Sequence, residues 1–133
     1  RTRVGLAGAV AAATMLVAPA AVAAHGDGVC EVAESCLFKN KNYAGGMADV
    51  NVHDADWRNN HYNTGGSAHN TVSSGGPHGR AVQYFNTPNF GGKWFILGIS
   101  QFDTDWTSVG WTPYPNFNFN NRMSSSYIYV PPL

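Results

Sequence analysis

The sequence predicts an all-β domain made of two similar halves. Aromatic residues make up 13% of the 133 residues and charged residues only 12%, against roughly 25% charged in an average soluble domain. Apolar runs are short, 15 glycines punctuate the chain, and a set of landmarks recurs in the same order. After Ala24, no window shows an apolar stripe of helical period with capping residues. These observations favour short strands joined by turns.

The charge balance restricts the class of partner. Eight basic residues balance eight acidic ones, so the formal net charge is zero. Nucleic-acid-binding domains usually carry a basic excess, and we therefore expect no nucleic-acid partner. A hydrophobic content of 44% is enough to build a core and argues against disorder. The low charge, with many asparagines, glycines and aromatic residues, indicates an extracellular protein.

The N-terminal region has the layout of a secretory signal peptide. A basic start precedes an Ala-rich apolar run over residues 4–18, and small residues follow. The run of about 15 residues is shorter than the roughly 20 that a bilayer-spanning helix needs. The sequence thus predicts a signal peptide over residues 1–24, cleaved after Ala23 or Ala24. The mature protein is then secreted and has no membrane span.

Two cysteines, Cys30 and Cys36, follow the predicted cleavage site. An exported protein meets an oxidising environment, and these two allow one intramolecular disulfide. Free thiols or a metal site are the alternatives, but zinc sites usually need four ligands and no further ligand lies nearby. We therefore expect a disulfide that ties an N-terminal segment, residues 25–35, to the first strand.

Three landmarks recur along the chain. Each half contains an aromatic residue, four residues, a second aromatic, one residue and a glycine. Each half then contains Asp-x-Asp-Trp and, later, Asn-x-x-Ser-Ser. Such ordered self-similarity predicts a duplicated unit of about 45 to 50 residues. The paired landmarks start at Phe38 and Phe85, at Asp54 and Asp103, and at Asn70 and Asn121.

Short aromatic and β-branched runs predict the strands of each unit. Glycine pairs after the second aromatic residue predict tight hairpins, since glycine adopts positive φ without strain, and the first aromatic ring can cover the turn. Four short strands per unit would make a Greek key, and two Greek keys a sandwich, over 36–79 and 80–130. The predicted strands are 36–38, 81–85, 93–97 and 126–130.

The repeated aromatic-x4-aromatic-x-Gly pattern resembles the Greek-key signature of the βγ-crystallin superfamily. The segment NNRMSS, which starts at Asn120, matches that superfamily's calcium motif, Asn/Asp-Asn/Asp-x-x-Ser/Thr-Ser, at every position. The segment HNTVSS matches it except at His69. The Cys-x5-Cys pair before Leu-Phe, after an export signal, resembles the bacterial secreted branch that includes the Streptomyces-type metalloproteinase inhibitors. The resemblance covers residues 36–130 and implies a βγ-crystallin-like sandwich of two Greek keys.

The resemblance also implies weak calcium binding. In the family, each site combines a hydroxyl and a backbone carbonyl of one motif with an Asn or Asp of the other. No matched position carries a carboxylate here, so we expect a dissociation constant of about 10⁻⁴ to 10⁻³ M. The alternative is that these residues only form Asx and Ser turns. The implied ligands are Asn70, Thr71, Ser73, Asn120, Asn121, Arg122 and Ser124, with Thr71 and Arg122 contributing only carbonyls.

Catalytic interpretations are weaker. The histidines at positions 53, 61, 69 and 78, with Asp54 and Asp56, could form a zinc or iron site, but none has the i, i+4 spacing of a helical zinc motif. We expect loop histidines on the surface. A carboxylate pair for glycoside hydrolysis and a Gly-x-Ser-x-Gly nucleophile elbow are not indicated either. The sequence therefore predicts a protein that is not an enzyme.

An aromatic segment over 106–119 is the predicted binding loop, since rigid aromatic side chains anchor partners at low entropic cost. Core capping by some of these side chains is the alternative. The resemblance implies a monomeric inhibitor of a secreted metallopeptidase. A calcium-stabilised extracellular module that binds glycan or an envelope protein is the second hypothesis. The binding-loop candidates are Trp106, Trp111, Tyr114 and Phe117.

Overall fold

The computed structural model describes residues 26–130, so the predicted signal peptide lies outside the described residues. Two three-stranded antiparallel sheets make up the described fold, and a 3-10 turn, Trp57–Asn59, lies between the second and third strands of the first sheet in sequence. The all-β prediction is confirmed. The strands are β1 Glu34–Asn40, β2 Ala44–Asn51, β3 Ser74–Pro77, β4 Val82–Thr87, β5 Gly91–Leu97 and β6 Ser125–Ile128.

The two sheets have the same topology. The strand order is β2-β1-β3 in the first sheet and β5-β4-β6 in the second. The centre of the first sheet aligns Leu37 with Ala48 on one side and Gly75 on the other. Tyr84 is flanked in the same way by Phe95 and Ser126. Residues 34–77 therefore supply the strands of the first sheet, and residues 82–128 supply those of the second.

The predicted fourth strand of each unit is reduced to one bridge, and that bridge joins the other half. Asp54 pairs with Ser126 of β6, and Asp103 pairs with Gly75 of β3, through two hydrogen bonds of 2.8–2.9 Å in each case. Pairing stops there because each aspartate accepts a hydrogen bond from the backbone two residues on, at 2.9 Å. Such Asx turns divert the chain from an extended course. Each sheet is thus completed by the opposite half.

Aromatic rings cover both hairpins, as predicted. The ring centroids of Phe38 and Tyr43 lie 5.5 Å apart at the β1–β2 turn. Those of Phe85 and Phe90 lie 5.9 Å apart at the β4–β5 turn. Both pairs are tilted or edge-on, which is the arrangement that the ring quadrupoles favour.

The backbone of these hairpins is left-handed at more than the glycines. Gly45 and Gly92 have φ of 83° and 77°, but the aromatic residues before them, Tyr43 and Phe90, also have φ near 60°. Non-glycine residues in this region carry strain, so neighbouring contacts must hold them. The last serine of each Asn-x-x-Ser-Ser motif supplies such contacts. In the first half, Ser74 Oγ accepts a hydrogen bond from the Tyr43 amide at 3.0 Å and donates one to the Asn40 carbonyl at 2.6 Å.

Ser125 repeats this arrangement in the second half. Its Oγ accepts from the Phe90 amide at 3.1 Å and donates to the Thr87 carbonyl at 2.7 Å. Like Ser74, it is fully buried. The final serine of each Asn-x-x-Ser-Ser motif therefore has a structural role at the adjacent hairpin.

A single aromatic core lies between the sheets and draws on both halves. The rings of Tyr84, Phe95 and Trp106 contact one another with centroids 5.0–5.3 Å apart. Trp57 packs edge-on against Tyr84 at 6.0 Å. All four side chains are fully buried. Burial of a side chain the size of Phe contributes roughly 1.5–3 kcal/mol, so these four rings are a large contribution to the stability of the core.

The two core tryptophans differ in how their indole N–H groups are satisfied. Trp57 Nε1 donates to Ser126 Oγ at 3.3 Å. Trp106 Nε1 is buried with no hydrogen-bond partner within residues 26–130. The position that corresponds to Ser126 is Gly75, with φ of 134°, where a Cβ would collide with the carbonyl oxygen of Cys36. Close packing of β3 on β1 therefore removes the hydroxyl that would pair with Trp106.

A buried carboxylate fixes the start of the described chain. Asp49 in β2 is only 2% exposed. Its carboxylate accepts hydrogen bonds from the backbone amides of Gly26, Asp27 and Gly28 at 2.8, 3.0 and 3.0 Å. This clamp, which no sequence motif predicted, holds the N-terminal segment on the first sheet. Within residues 26–130, no helix has the length and apolarity to cross a membrane.

Candidate functional site

The structure brings the two Asn-x-x-Ser-Ser motifs face to face. The Asn70 amide donates to the Met123 carbonyl at 2.8 Å, and the Asn121 amide donates to the Val72 carbonyl at 2.9 Å. Both asparagines have left-handed backbone, with φ of 57° and 59°. Asn tolerates this region better than most residues, which explains its place in the motif. Each motif thus places its asparagine beside the serine of the other.

The first of these pairings is rich in oxygen. Ser73 Oγ donates to Asn121 Oδ1 at 3.1 Å, and Ser73 is 6% exposed. The neighbouring Asn120 Oδ1 is buried with no hydrogen-bond partner within residues 26–130. A buried polar atom without a partner is costly unless something else satisfies it. Amide and hydroxyl oxygens are ligands that Ca²⁺ accepts, so this pairing has the chemistry of a weak calcium site.

The second pairing differs because a histidine occupies it. His69 Nδ1 lies 2.7 Å from Ser124 Oγ, and its Nε2 lies 3.1 Å from Asn70 Nδ2. The imidazole therefore engages the hydroxyl that would correspond to a calcium ligand. Calcium prefers oxygen over nitrogen ligands, so the second pairing does not fit the ion as it stands.

The remaining two implied ligands have their side chains engaged elsewhere. Thr71 Oγ1 donates to the Ser67 carbonyl at 2.6 Å and lies 2.8 Å from the Tyr62 hydroxyl. The Arg122 guanidinium lies 5.4 Å from the centroid of the Phe117 ring, within the range of a cation–π contact. Both observations suit the expectation that these residues would contribute only through their carbonyls.

An exposed ion pair lies near His69. Arg58 Nη2 contacts Asp56 Oδ2 at 2.6 Å. Hydrogen bonds from the Arg58 side chain, and then from its backbone, lower the pKa of Asp56 to about 2. The pair is solvent-exposed, so it adds little to stability.

The aromatic binding-loop candidates occupy different environments. Trp106 is fully buried in the core and offers no surface to a partner, so its assignment to the binding loop is corrected. Tyr114 and Phe117 are half-buried and pack beside Lys93, whose Nζ lies 5.6 and 5.3 Å from their ring centroids. Trp111 is 66% exposed. Of the four candidates, Trp111 presents the largest free surface.

Trp111 lines an open groove of about 600 Å³ at one end of the second sheet. Ile99 and Val130 lie in the same groove and are 73% and 77% exposed. Arg80 adds a basic group. No local pattern predicts this groove, because its walls come from residues 79–81, from Ile96 of β5, from the loop at 98–111 and from residues 128–130, which only the fold brings together.

The histidines make separate contacts. The His53 ring packs at a tilt against the Tyr127 ring, with centroids 4.4 Å apart, and His78 Nδ1 lies 3.1 Å from the Cys30 carbonyl oxygen. Within the described part of the chain, no group of three or more His, Cys, Asp or Glu side chains could hold a metal ion. The alternative of a zinc or iron site thus gains no support from these residues.

The predicted disulfide joins Cys30 and Cys36, with Cα atoms 5.7 Å apart. The disulfide ties Cys30 to Cys36, which lies in β1. This strand begins at Glu34, two residues earlier than the predicted boundary after residue 35. A disulfide suits an oxidising, extracellular setting.

Comparison with known proteins identifies both fold and family. The family model described as peptidase inhibitor family I36 matches residues 23–97, more than half of the chain. A solved structure described as "Evolution of the eye lens beta-gamma-crystallin domain fold" superposes with a TM-score of 0.55 over 80% of this chain and 98% of that one. At 21% identity this likeness shows the fold alone, and it confirms the prediction of a βγ-crystallin-like fold. No curated protein matches the chain.

Proposed function

This chain belongs to peptidase inhibitor family I36, and we propose that it is a secreted, non-catalytic inhibitor of a metallopeptidase. The observation that carries the proposal is the family match over residues 23–97, which spans the disulfide, the first sheet and strands β4 and β5. The disulfide and the family both suit a protein that acts outside the cell.

A rigid scaffold supports inhibition on physical grounds. A peptidase inhibitor must present a segment to the active-site cleft and lose little entropy when it docks. Here one core draws on both sheets, and each sheet is completed by a bridge from the other half. Loops on such a scaffold are anchored at both ends and already ordered, so they lose little conformational entropy when they dock.

The test is a titration of a panel of secreted metallopeptidases with the mature protein. Serine peptidases serve as the control class. We expect the activity of at least one metallopeptidase to fall linearly and to reach zero near a one-to-one ratio. Full activity of every metallopeptidase at about tenfold inhibitor excess, with the inhibitor folded, would contradict the proposal. Light scattering of the free protein tests the expected monomer.

We also propose that calcium binds weakly at the first motif pairing. The candidate ligands are the oxygens of Ser73, Asn120 and Asn121, with the Thr71 carbonyl. A bound ion would satisfy the buried Asn120 Oδ1 and link the two halves. With a dissociation constant of about 1 mM, roughly 10 mM calcium would stabilise the fold by about 1.4 kcal/mol through mass action.

Matched serine variants test the calcium proposal. Calorimetry and thermal unfolding with and without about 10 mM calcium should show binding heat and a higher Tm for the native chain. Ser73→Ala should abolish both effects, whereas Ser124→Ala, at the histidine-occupied pairing, should retain them. The absence of heat and of a Tm shift in the native chain, or an equal loss in both variants, would contradict the proposal.

A second candidate function is binding of a glycan or an envelope protein. The observation that favours it is the groove lined by Trp111, Ile99 and Val130, since exposed aromatic side chains are common anchors. Retention on polysaccharide columns, lost in Trp111→Ala, would support this function. A native chain that passes unretained and inhibits a metallopeptidase would favour the first proposal.

A further inference from the structure

We propose that the cystine loop, residues 29–36, is the surface that enters the peptidase, and that Val32 is its main contact side chain. This inference rests on the proposed inhibitory function and assigns it to a place in the fold. Neither the aromatic segment nor the groove beside Trp111 is then required for inhibition.

The loop presents apolar side chains to solvent. Val29 is 54% exposed and Val32 is 60% exposed, whereas Glu34 and Ser35, which follow in β1, are fully buried. Valine has one principal rotatable bond, so it loses little side-chain entropy when a partner covers it. An apolar pocket can therefore cover the two exposed valines of this short closed loop with little loss of side-chain entropy.

The backbone of the loop is fixed from within. The Cys30–Cys36 disulfide closes it. The Glu34 amide donates to the Glu31 carbonyl at 3.2 Å, and the Glu31 amide donates to Glu34 Oε2 at 2.8 Å. Ala33 has a left-handed φ of 73°, which sets the turn beside Val32. A loop of defined shape results, rather than a flexible connection.

Neighbouring segments hold the loop from outside. The Ala33 amide donates to the His78 carbonyl at 2.8 Å, and the Val52 amide donates to the Ala33 carbonyl at 3.3 Å. His78 Nδ1 lies 3.1 Å from the Cys30 carbonyl oxygen. The Asp49 clamp secures the chain just before the loop. The loop thus meets the requirement of a preorganised inhibitor segment, because ordering it costs nothing at the moment of docking.

The extent of the family match separates this loop from the alternative surface. Residues 23–97 include the whole cystine loop. They end before Ile99 and Trp111 of the groove and before the aromatic segment 106–119. A contact surface that belongs to the inhibitor family must lie in the matched part, and the cystine loop is the exposed, covalently closed loop found there. The chemistry of Val29 and Val32 fits a metallopeptidase whose substrate pocket accepts aliphatic side chains.

Two substitutions that introduce the same charge test the assignment. Val32→Asp places the charge in the proposed contact, and Asn59→Asp places it at an exposed position outside both the cystine loop and the groove. On a metallopeptidase that the native chain inhibits, we expect Val32→Asp to raise the inhibition constant at least about tenfold and Asn59→Asp to change it less than about twofold. Thermal unfolding should give equal Tm values for both variants.

Amide hydrogen exchange provides a second measurement. Exchange over residues 29–34 should slow when the inhibited peptidase is added, and exchange over 106–119 should not. Undiminished inhibition by Val32→Asp, or protection confined to 106–119, would overturn the assignment and leave the inhibitory function intact. A native chain that inhibits no metallopeptidase of the panel would overturn the inhibitory function and this assignment with it.

Discussion

The hydroxyl of Tyr84 lies 2.9 Å from the hydroxyl of Ser35, at the centre of the core. Ser35 belongs to β1 of the first sheet and Tyr84 to β4 of the second, so this hydrogen bond joins the two sheets. Both side chains are fully buried. The two hydroxyls therefore satisfy each other's hydrogen bonding where water does not reach.

The stability losses from removing the Tyr84 and Ser35 hydroxyls should not be additive. Tyr84→Phe and Ser35→Ala each leave one buried hydroxyl unpaired, which costs about 1–3 kcal/mol in the free energy of unfolding. The double variant leaves none, so its loss should be clearly smaller than the sum of the two single losses. Urea denaturation of the four proteins measures this. Strict additivity would contradict the pairing.

Alkaline pH should weaken the fold through its buried tyrosines. Burial raises the pKa of Tyr62 to about 12 and also raises the pKa of Tyr84. The folded state thus holds these protons more tightly than the unfolded state. The stabilisation is complete below the unfolded pKa of 10.0 and is lost as the pH rises through the folded pKa.

We therefore expect the free energy of unfolding to fall between pH 10 and 12, by up to about 1.4 kcal/mol per pH unit for each such tyrosine. Tyr62→Phe should make this decline shallower. Denaturant unfolding at a series of pH values, with tyrosinate absorbance followed in parallel, provides the measurement. An equally steep decline in the variant would contradict the role of Tyr62.

Asp49→Asn should loosen the start of the domain. The substitution replaces one carboxylate oxygen with an amide nitrogen, which cannot accept the backbone N–H groups of residues 26–28. We expect a loss of about 1–3 kcal/mol and faster exchange of those amides, measured by urea denaturation and hydrogen exchange. Asp27→Asn is the control, because Asp27 is exposed and accepts one backbone bond, from Val29. Equal effects of the two changes would contradict the clamp.

The two tryptophans of the aromatic segment should respond differently to truncation. Trp106→Ala removes a fully buried ring and should cost about 3–5 kcal/mol. Trp111→Ala removes a largely exposed ring and should change stability by about 0.5 kcal/mol or less. Thermal and urea unfolding compare them. A large loss in Trp111→Ala would assign that ring to the core instead.

Local pattern was enough to predict the hairpins, β4 and β5. Their aromatic and β-branched residues and their glycine turns act within a few residues of one another. The bounds of β2 were not among the predicted strands. Strand β3 was missed because Ser-Gly-Gly-Pro has the composition of a turn, and only the close approach of β1 explains glycine at position 75. The reduction of each fourth strand to one bridge depends on Asx turns whose effect the sequence alone did not reveal.

The candidate site was predicted unevenly for a similar reason. The resemblance to the βγ-crystallins implied that Ser73 and Asn121 would meet, and the structure places Ser73 Oγ 3.1 Å from Asn121 Oδ1. The engagement of Ser124 by His69 and the buried position of Trp106 depend on packing between distant segments. The closed loop that carries Val32 could be anticipated from the cysteine spacing, but nothing in the local sequence marks that valine as exposed.

The exchanged bridges at Asp54 and Asp103 make the halves interdependent. A chain severed between β3 and β4 would yield two pieces, each with an unfinished sheet edge and half an interior, so neither has a stable state of its own. We expect the two pieces to reassemble when they are mixed. Two intact molecules could equally exchange halves, and the short connection between β3 and β4, residues 78–81, would then decide whether such an intertwined pair forms.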